Sequence, residues 1–138
     1  EPFLLTYGDA VGDIDLDALV RFHRANGRIG TMSMYNFGQN KGVVEVGENG
    51  LIRAFREKSD LDGDLINIGF MVFEPALFDY IDGDDTIFEK GPLTRLVAEG
   101  QLVGYVHKGY WQCMDTLREK QQLERLWEQG KAPWKLWD

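Results

Sequence analysis

Phe3-Leu4-Leu5-Thr6-Tyr7-Gly8-Asp9 constrains the chain most. Residues with strong strand preference run into a glycine and then an acid. A near-continuous apolar run reads as a buried strand of a mostly parallel sheet. In such sheets ligands sit beyond the carboxyl ends of strands. Gly8 lets the backbone turn out of the strand, which leaves the Asp9 carboxylate open at the rim. Asp115 ends a similar stretch, Tyr110-Trp111-Gln112-Cys113-Met114. The pair is read as sharing one divalent metal. The competing reading is that each aspartate caps the next helix or turn.

An α/β domain rarely opens on its most buried strand. The neighbours of Phe3–Asp9 are therefore expected from further chain or from another copy. At 138 residues there is enough chain for one domain with a real core. A second long strand is predicted over Leu65–Phe73. Alternation places Asn67, Gly69, Met71 and Phe73 on one face and Ile68 on the other. Interior glycine in a strand marks either a bulge or close approach of a ligand or backbone, and both readings stay open for Gly69.

Between these strands the chain alternates. Asp13 or Asp15 caps a helix carrying Leu16, Leu19 and Val20 on one face, with Asp17 favourable in its first turn and Gly27 at its end. Ile29–Tyr35 reads as a strand. Val43–Val46 and Leu51–Arg56 read as a hairpin turned at Asn49-Gly50. Pro75 opens a short helix, and Pro92 opens another with Leu93, Leu96 and Val97 inward. Leu102–His107 is a strand. Thr116 and Glu119 have capping-box spacing, and Leu123, Leu126 and Trp127 line the inner face of the helix that follows. Trp134 and Trp137 in the tail are expected to dock on the chain or a neighbour. The fold class is α/β: a mixed sheet with flanking helices.

The charge balance excludes some functions. The 15 basic and 23 acidic residues give a net charge of −8, which argues against nonspecific nucleic-acid binding. It leaves a nucleotide substrate open, since a metal and one or two lysines neutralise phosphates locally. Cys113 is the only cysteine, so an intrachain disulfide and a Cys-rich zinc site are both excluded. No signal peptide and no membrane-length apolar run is present, which points to the cytoplasm and away from a membrane.

Asp13–Asp17 and Asp60–Asp64 open like calcium loops. Both fail at the positions that need glycine and a bidentate glutamate. GxGxxG and GxxxxGK[ST] are absent. His23 and His107 have no ligand spacing and read as structural. Ser33 and Ser59 lack a nucleophile-elbow context.

Thr6-Tyr7-Gly8-Asp9, Arg56-Glu57-Lys58, Ile66–Phe70, Tyr80–Thr86, Trp111–Thr116 and Gly130–Lys135 occur in this order. Together they resemble the glucose-1-phosphate cytidylyltransferases, a branch of the sugar-1-phosphate nucleotidyltransferase family. The resemblance implies a partial Rossmann-like nucleotide-diphospho-sugar transferase fold. It implies a Mg²⁺-dependent transfer from CTP to glucose 1-phosphate, giving CDP-glucose and pyrophosphate for bacterial polysaccharide synthesis. By this resemblance Asp9 and Asp115 hold Mg²⁺, Lys58 grips the sugar phosphate, and Glu57 and Asn67 bind sugar hydroxyls. Gly69 lets the sugar lie against the backbone.

There are departures. The family's Gly-rich nucleotide loop, which lies toward its N-terminus, is absent. Residues 1–138 therefore read as one truncated domain, the C-terminal sugar- and metal-binding part, with little activity alone and a tendency to homo-oligomerise through uncovered sheet edge. Ser59 stands where proline is usual, Ile68 where glycine is common, and the loop Phe37–Gly42 is unlike the family's. Two alternatives remain: a non-catalytic sugar-phosphate binding or assembly module, and a sister enzyme using UTP or dTTP.

Overall fold

The computed structural model describes residues 1–36, 43–46, 51–56 and 65–138, with 43–46 and 52–56 described by backbone only. The strands are β1 (Phe3–Leu5), β2 (Ala10–Gly12), β3 (Gly30–Asn36), β4 (Val43–Val46), β5 (Ile52–Arg56), β6 (Leu65–Phe73), β7 (Leu102–His107) and β8 (Trp111–Cys113). The α-helices are α1 (Leu16–Asn26), α2 (Pro92–Ala98) and α3 (Leu117–Glu128), and Pro75–Tyr80 is a 3-10 helix. Among the described residues the main sheet has four strands in the order β1-β6-β3-β7, while β2–β8 and β4–β5 form separate antiparallel pairs.

The sheet is mixed, as expected, with β1–β6 and β3–β6 antiparallel and β3–β7 parallel. β1 corrects the opening expectation of a buried strand in a mostly parallel sheet. It is a three-residue strand, antiparallel to β6 and at the sheet's edge among the described residues. Alternation puts Phe3 and Leu5 on the core, while Leu4, on the other face, is 51% exposed.

Helices cover both faces. Met71, Phe73, Leu77, Leu93 and Leu96 form one core between the sheet, the 3-10 helix and α2. Val72 points the other way and joins Ile14 and Leu19 beneath α1. Alternation at the end of β6 thus serves two cores at once, and burying such side chains fully is worth about 1.5–3 kcal/mol each.

Local signals are met at the helix ends. The side chain of Asp15, not Asp13, accepts from Ala18 N at 3.0 Å as the α1 cap, and Gly27 closes the helix at φ 62°. Thr116 and Glu119 make the capping box of α3 in both directions. Asp13 is used elsewhere: it accepts from Tyr110 N at 2.7 Å and lies 3.0 Å from His107 Nε2. His23 is buried between Thr31 Oγ1, at 2.8 Å, and Glu74 Oε2. Both histidines are therefore structural. Two inward assignments fail: Val97 is 64% exposed and Trp127 is 49% exposed. α2 spans only Pro92–Ala98, and Leu93 and Leu96 already fill its buried face. Trp127 instead stacks on the tail, with ring centroids 6.4 Å from Trp134 and 6.4 Å from Trp137, while Trp134 also meets Tyr110 at 6.1 Å. The tail docks on its own chain.

Candidate functional site

Two short strands bring the predicted carboxylates to one place. β2 follows Asp9 directly and β8 ends two residues before Asp115. They pair antiparallel, Ala10 opposite Cys113 and Gly12 opposite Trp111. The ladder continues one step further, where Met114 N donates to Asp9 O at 2.7 Å. Residues more than a hundred apart in sequence are thus neighbours at one strand end. β2 has no counterpart in the sequence reading, because Ala10-Val11-Gly12 is too short to show a strand pattern.

Asp9 and Asp115 line a pocket of about 310 Å³ together with Tyr7, Asn67, Trp111 and Cys113. That volume lies at the lower end of small-ligand sites, roughly 300–1,000 Å³. Both aspartates are exposed to solvent. Neither is the side-chain cap of the following helix, since Asp15 and Thr116 hold those positions. Neither acid is therefore a helix cap.

Asp115 stands on a braced turn. Glu119 Oε1 accepts from Asp115 N and Thr116 N, both at 3.1 Å, and Glu119 Oε2 accepts from Gln112 Nε2 at 2.9 Å and Cys113 Sγ at 3.2 Å. These donors hold the Glu119 carboxyl below its ordinary value, the Cys113 bond contributing most. Burial, and then the Glu119 carboxylate, push the Cys113 thiol up to about 11. Side-chain donor atoms of Cys113, Asp115 and Glu119 lie within 4.8 Å of one another. A thiol held neutral is a poor metal ligand, so the available donors are carboxylate oxygens. Carboxylate oxygens are the donors a hard divalent cation such as Mg²⁺ takes; Asp9 stands outside this cluster and shares the pocket with Asp115.

The other wall is a bulge. Met32 pairs with Met71 but Met34 pairs with Asn67, so β6 carries two more residues than β3 across that interval. Gly69 sits inside it at φ 84°, in the left-handed region that glycine occupies freely. The bulge breaks the alternation expected along β6, and Asn67 and Ile68 line the same pocket. Asn67 Oδ1 accepts from Gly69 N at 2.9 Å.

Gly69 also needs correction as a place for a sugar to rest. It does not line the pocket, and a Cβ built there would meet Tyr7 Cδ2 at 2.7 Å. The close neighbour is the tyrosine ring. Tyr7 was missed as a site residue; its place two before Asp9 was the only signal. Its hydroxyl donates to Glu89 Oε1 at 2.8 Å. Burial and then Glu89 push the phenol up to about 12, while the Asn67 amide works in the opposite direction. Of the remaining expected site residues, Glu57 and Lys58 lie outside the described residues, as do the loop 37–42, the turn 47–50, Ser59 and the acidic loop 60–64.

A mixed sheet between helices, with a pocket lined by strand-end carboxylates, defines the class: an α/β protein with a candidate site at its strand ends. The nucleotidyl transferase family model matches residues 1–119, and the chain belongs to that family. It is 46% identical over 138 residues to the glucose-1-phosphate cytidylyltransferase of Salmonella typhi, covering 100% of this chain and 53% of that protein. It is 31% identical over 115 residues to the mannose-1-phosphate guanylyltransferase catalytic subunit beta of Xenopus tropicalis, covering 80% of this chain and 32% of that one. The chain thus spans about half the length of the cytidylyltransferase it matches. A crystal structure described as a "Putative Glucose-1-Phosphate Thymidylyltransferase" from Bacillus anthracis superposes with TM-score 0.62 at 16% identity, over 91% of this chain and 54% of that one. The nucleotidyltransferase-like fold is shared with that structure. Among the described residues no helix is long and apolar enough to cross a membrane.

Proposed function

We propose that this chain forms the sugar-phosphate and metal-binding part of a nucleotidyltransferase that joins CTP and glucose 1-phosphate into CDP-glucose, releasing pyrophosphate. The observation that carries the reading is the meeting of Asp9, Asp115 and Asn67 at one pocket, in a chain 46% identical to a protein of that name. Asp9 and Asp115 are the residues that would hold Mg²⁺. Bound there, the ion would neutralise phosphate charge and fix phosphate oxygens.

The chain's own residues orient the sugar phosphate. With Oδ1 committed to Gly69 N, Asn67 meets a sugar hydroxyl through its Nδ2 donor. Trp111 and the isoleucines at 66 and 68 give the pocket apolar wall. Lys58 is assigned to the sugar phosphate as a compact point charge and Glu57 to sugar hydroxyls. The phosphate monoester is already a nucleophile, so its oxygen forms the new P–O bond at the α-phosphorus as the bond to pyrophosphate breaks. Positioning and charge neutralisation are what the protein must supply. In the same proposal the chain is one part of a longer protein, has little activity alone, and self-associates through the exposed β1 edge.

The test combines the chain with glucose 1-phosphate, Mg²⁺ and CTP, UTP or dTTP, with and without the remainder of the full-length protein supplied in trans, and measures pyrophosphate. Release with CTP restored by the added part supports the reading. Preference for UTP or dTTP moves the chain to a sister enzyme. Sugar-phosphate binding with no transfer under any condition favours a binding module.

A further inference from the structure

Two stretches far apart in the chain line the pocket, Tyr7 with Asp9 and Asn67 with its neighbours at 66 and 68, and one side chain joins the first stretch to Gly69 just behind the second. Gly69 at φ 84° leaves a space that the Tyr7 ring fills: a Cβ there would lie 2.7 Å from Tyr7 Cδ2 and 3.4 Å from Tyr7 Cβ. The far end of the same ring is tethered, its hydroxyl donating to Glu89 Oε1 at 2.8 Å. Glu89 does not line the pocket. It is itself fixed to the start of α2, where Thr94 Oγ1 donates to Glu89 O at 3.1 Å. Beyond the glycine, the Gly69 N–H holds Asn67 Oδ1 at 2.9 Å. A continuous path of contacts therefore runs Thr94, Glu89, Tyr7, Gly69, Asn67, and Asp9 follows Tyr7 by two residues.

We propose that Tyr7 is a positioning residue: tethered by Glu89, it clamps the Asp9 end of the chain onto the Gly69 bulge and so sets Asn67 and Asp9 relative to each other. This rests on the reading of the pocket as the sugar-phosphate and metal site. The physical case is one of pre-organisation. Asp9 and Asn67 are both exposed, so packing on their own side chains does little to hold them. An aromatic ring has two χ angles, costs little entropy to fix, and covers a large area. Ring contact with glycine sets the height of the Tyr7 segment over the bulge, and the hydroxyl tether sets the ring's rotation.

The test is a calorimetric titration of the 138-residue chain with glucose 1-phosphate in the presence of Mg²⁺. The chains compared are wild type, Tyr7→Phe, Glu89→Ala, Glu89→Gln and the double variant Tyr7→Phe/Glu89→Ala. Loss of one tethering hydrogen bond weakens binding by roughly three- to tenfold in each of Tyr7→Phe and Glu89→Ala. The double variant is no weaker than either single, because both remove the same bond. Glu89→Gln keeps an oxygen acceptor and stays within about twofold of wild type. Exchange of the Gly69 amide, followed by NMR, quickens alike in Tyr7→Phe and Glu89→Ala. Unchanged affinity in Glu89→Ala, or losses that add in the double variant, overturns the proposal. If the wild-type chain binds no glucose 1-phosphate, the reading of the pocket fails instead. The clamp is then judged on the Gly69 amide alone, and unchanged exchange in Glu89→Ala overturns it.

Discussion

The two halves of β6 differ in what they are built for. Beyond Gly69, Met71, Val72 and Phe73 are 0%, 1% and 0% exposed, with β1 on one side, β3 on the other and helices over both faces. Before Gly69, Leu65 and Ile66 are half-buried, Asn67 is exposed, and the strand borders a pocket. One glycine-centred bulge separates the halves. A sheet strand can carry a ligand site without weakening its core if the register is interrupted between the two. The rigid half anchors the site, and the interrupted half is free to face it.

The largest expected contrast is between Phe73→Ala and Asn67→Ala. Phe73 is fully buried, so truncation costs about 3–5 kcal/mol of stability in urea denaturation. Asn67→Ala costs about 1 kcal/mol or less, the loss of one hydrogen bond at an exposed position, and its effect falls on ligand affinity. Equal destabilisation by the two variants would remove the contrast. Gly69→Ala comes next. It combines positive φ with a collision on Tyr7 and costs about 1–3 kcal/mol, read in the same experiment. A smaller cost would mean that the bulge is not held by Tyr7.

The smallest effect is an alkaline one on the pocket side. The Cys113 thiol is raised from its ordinary value of 9.0 to about 11, and the Tyr7 phenol from 10.0 to about 12. A raised folded-state value favours the protonated form, so its stabilisation is complete below the unfolded value and is lost as pH rises through the folded one. For Cys113 that window runs from about 9 to about 11. The thermal midpoint falls across it, and Cys113→Ser flattens the fall. Alkylation of Cys113 by iodoacetamide at pH 7 is expected to be slow, because the thiolate is the reactive form. Rapid labelling would show that the thiol is not held as described.

What could be read from the sequence was local. A cap at Asp13 or Asp15, the capping box Thr116–Glu119, Gly27 after α1, the β4–β5 hairpin and the span of β6 each follow from residues within a turn or a strand of one another. The pairing of Asp9 with Asp115 was legible because both acids end strand-like stretches. Contacts that join distant segments left no such mark. Asp13 reads as a helix cap, yet it bonds Tyr110 N across 97 residues. β1 reads as a central strand because its composition does not say how many neighbours it has. The bulge was one of two readings left open at Gly69. Tyr7 could not be chosen over other apolar residues of its run until the bulge placed it against Gly69. Trp127 reads as core by spacing, and the tail that covers it follows no periodic pattern.

The central claim is that one pocket binds a sugar phosphate together with a divalent cation held by strand-end carboxylates. The measurement that tests it most directly is calorimetric titration of the chain with glucose 1-phosphate, with and without Mg²⁺, beside Asp9→Ala. The account predicts binding that strengthens with Mg²⁺ in wild type, and loss of that Mg²⁺ dependence in Asp9→Ala without a change in thermal midpoint. Binding that ignores Mg²⁺, or an Asp9→Ala variant that responds to it as wild type does, would contradict the account.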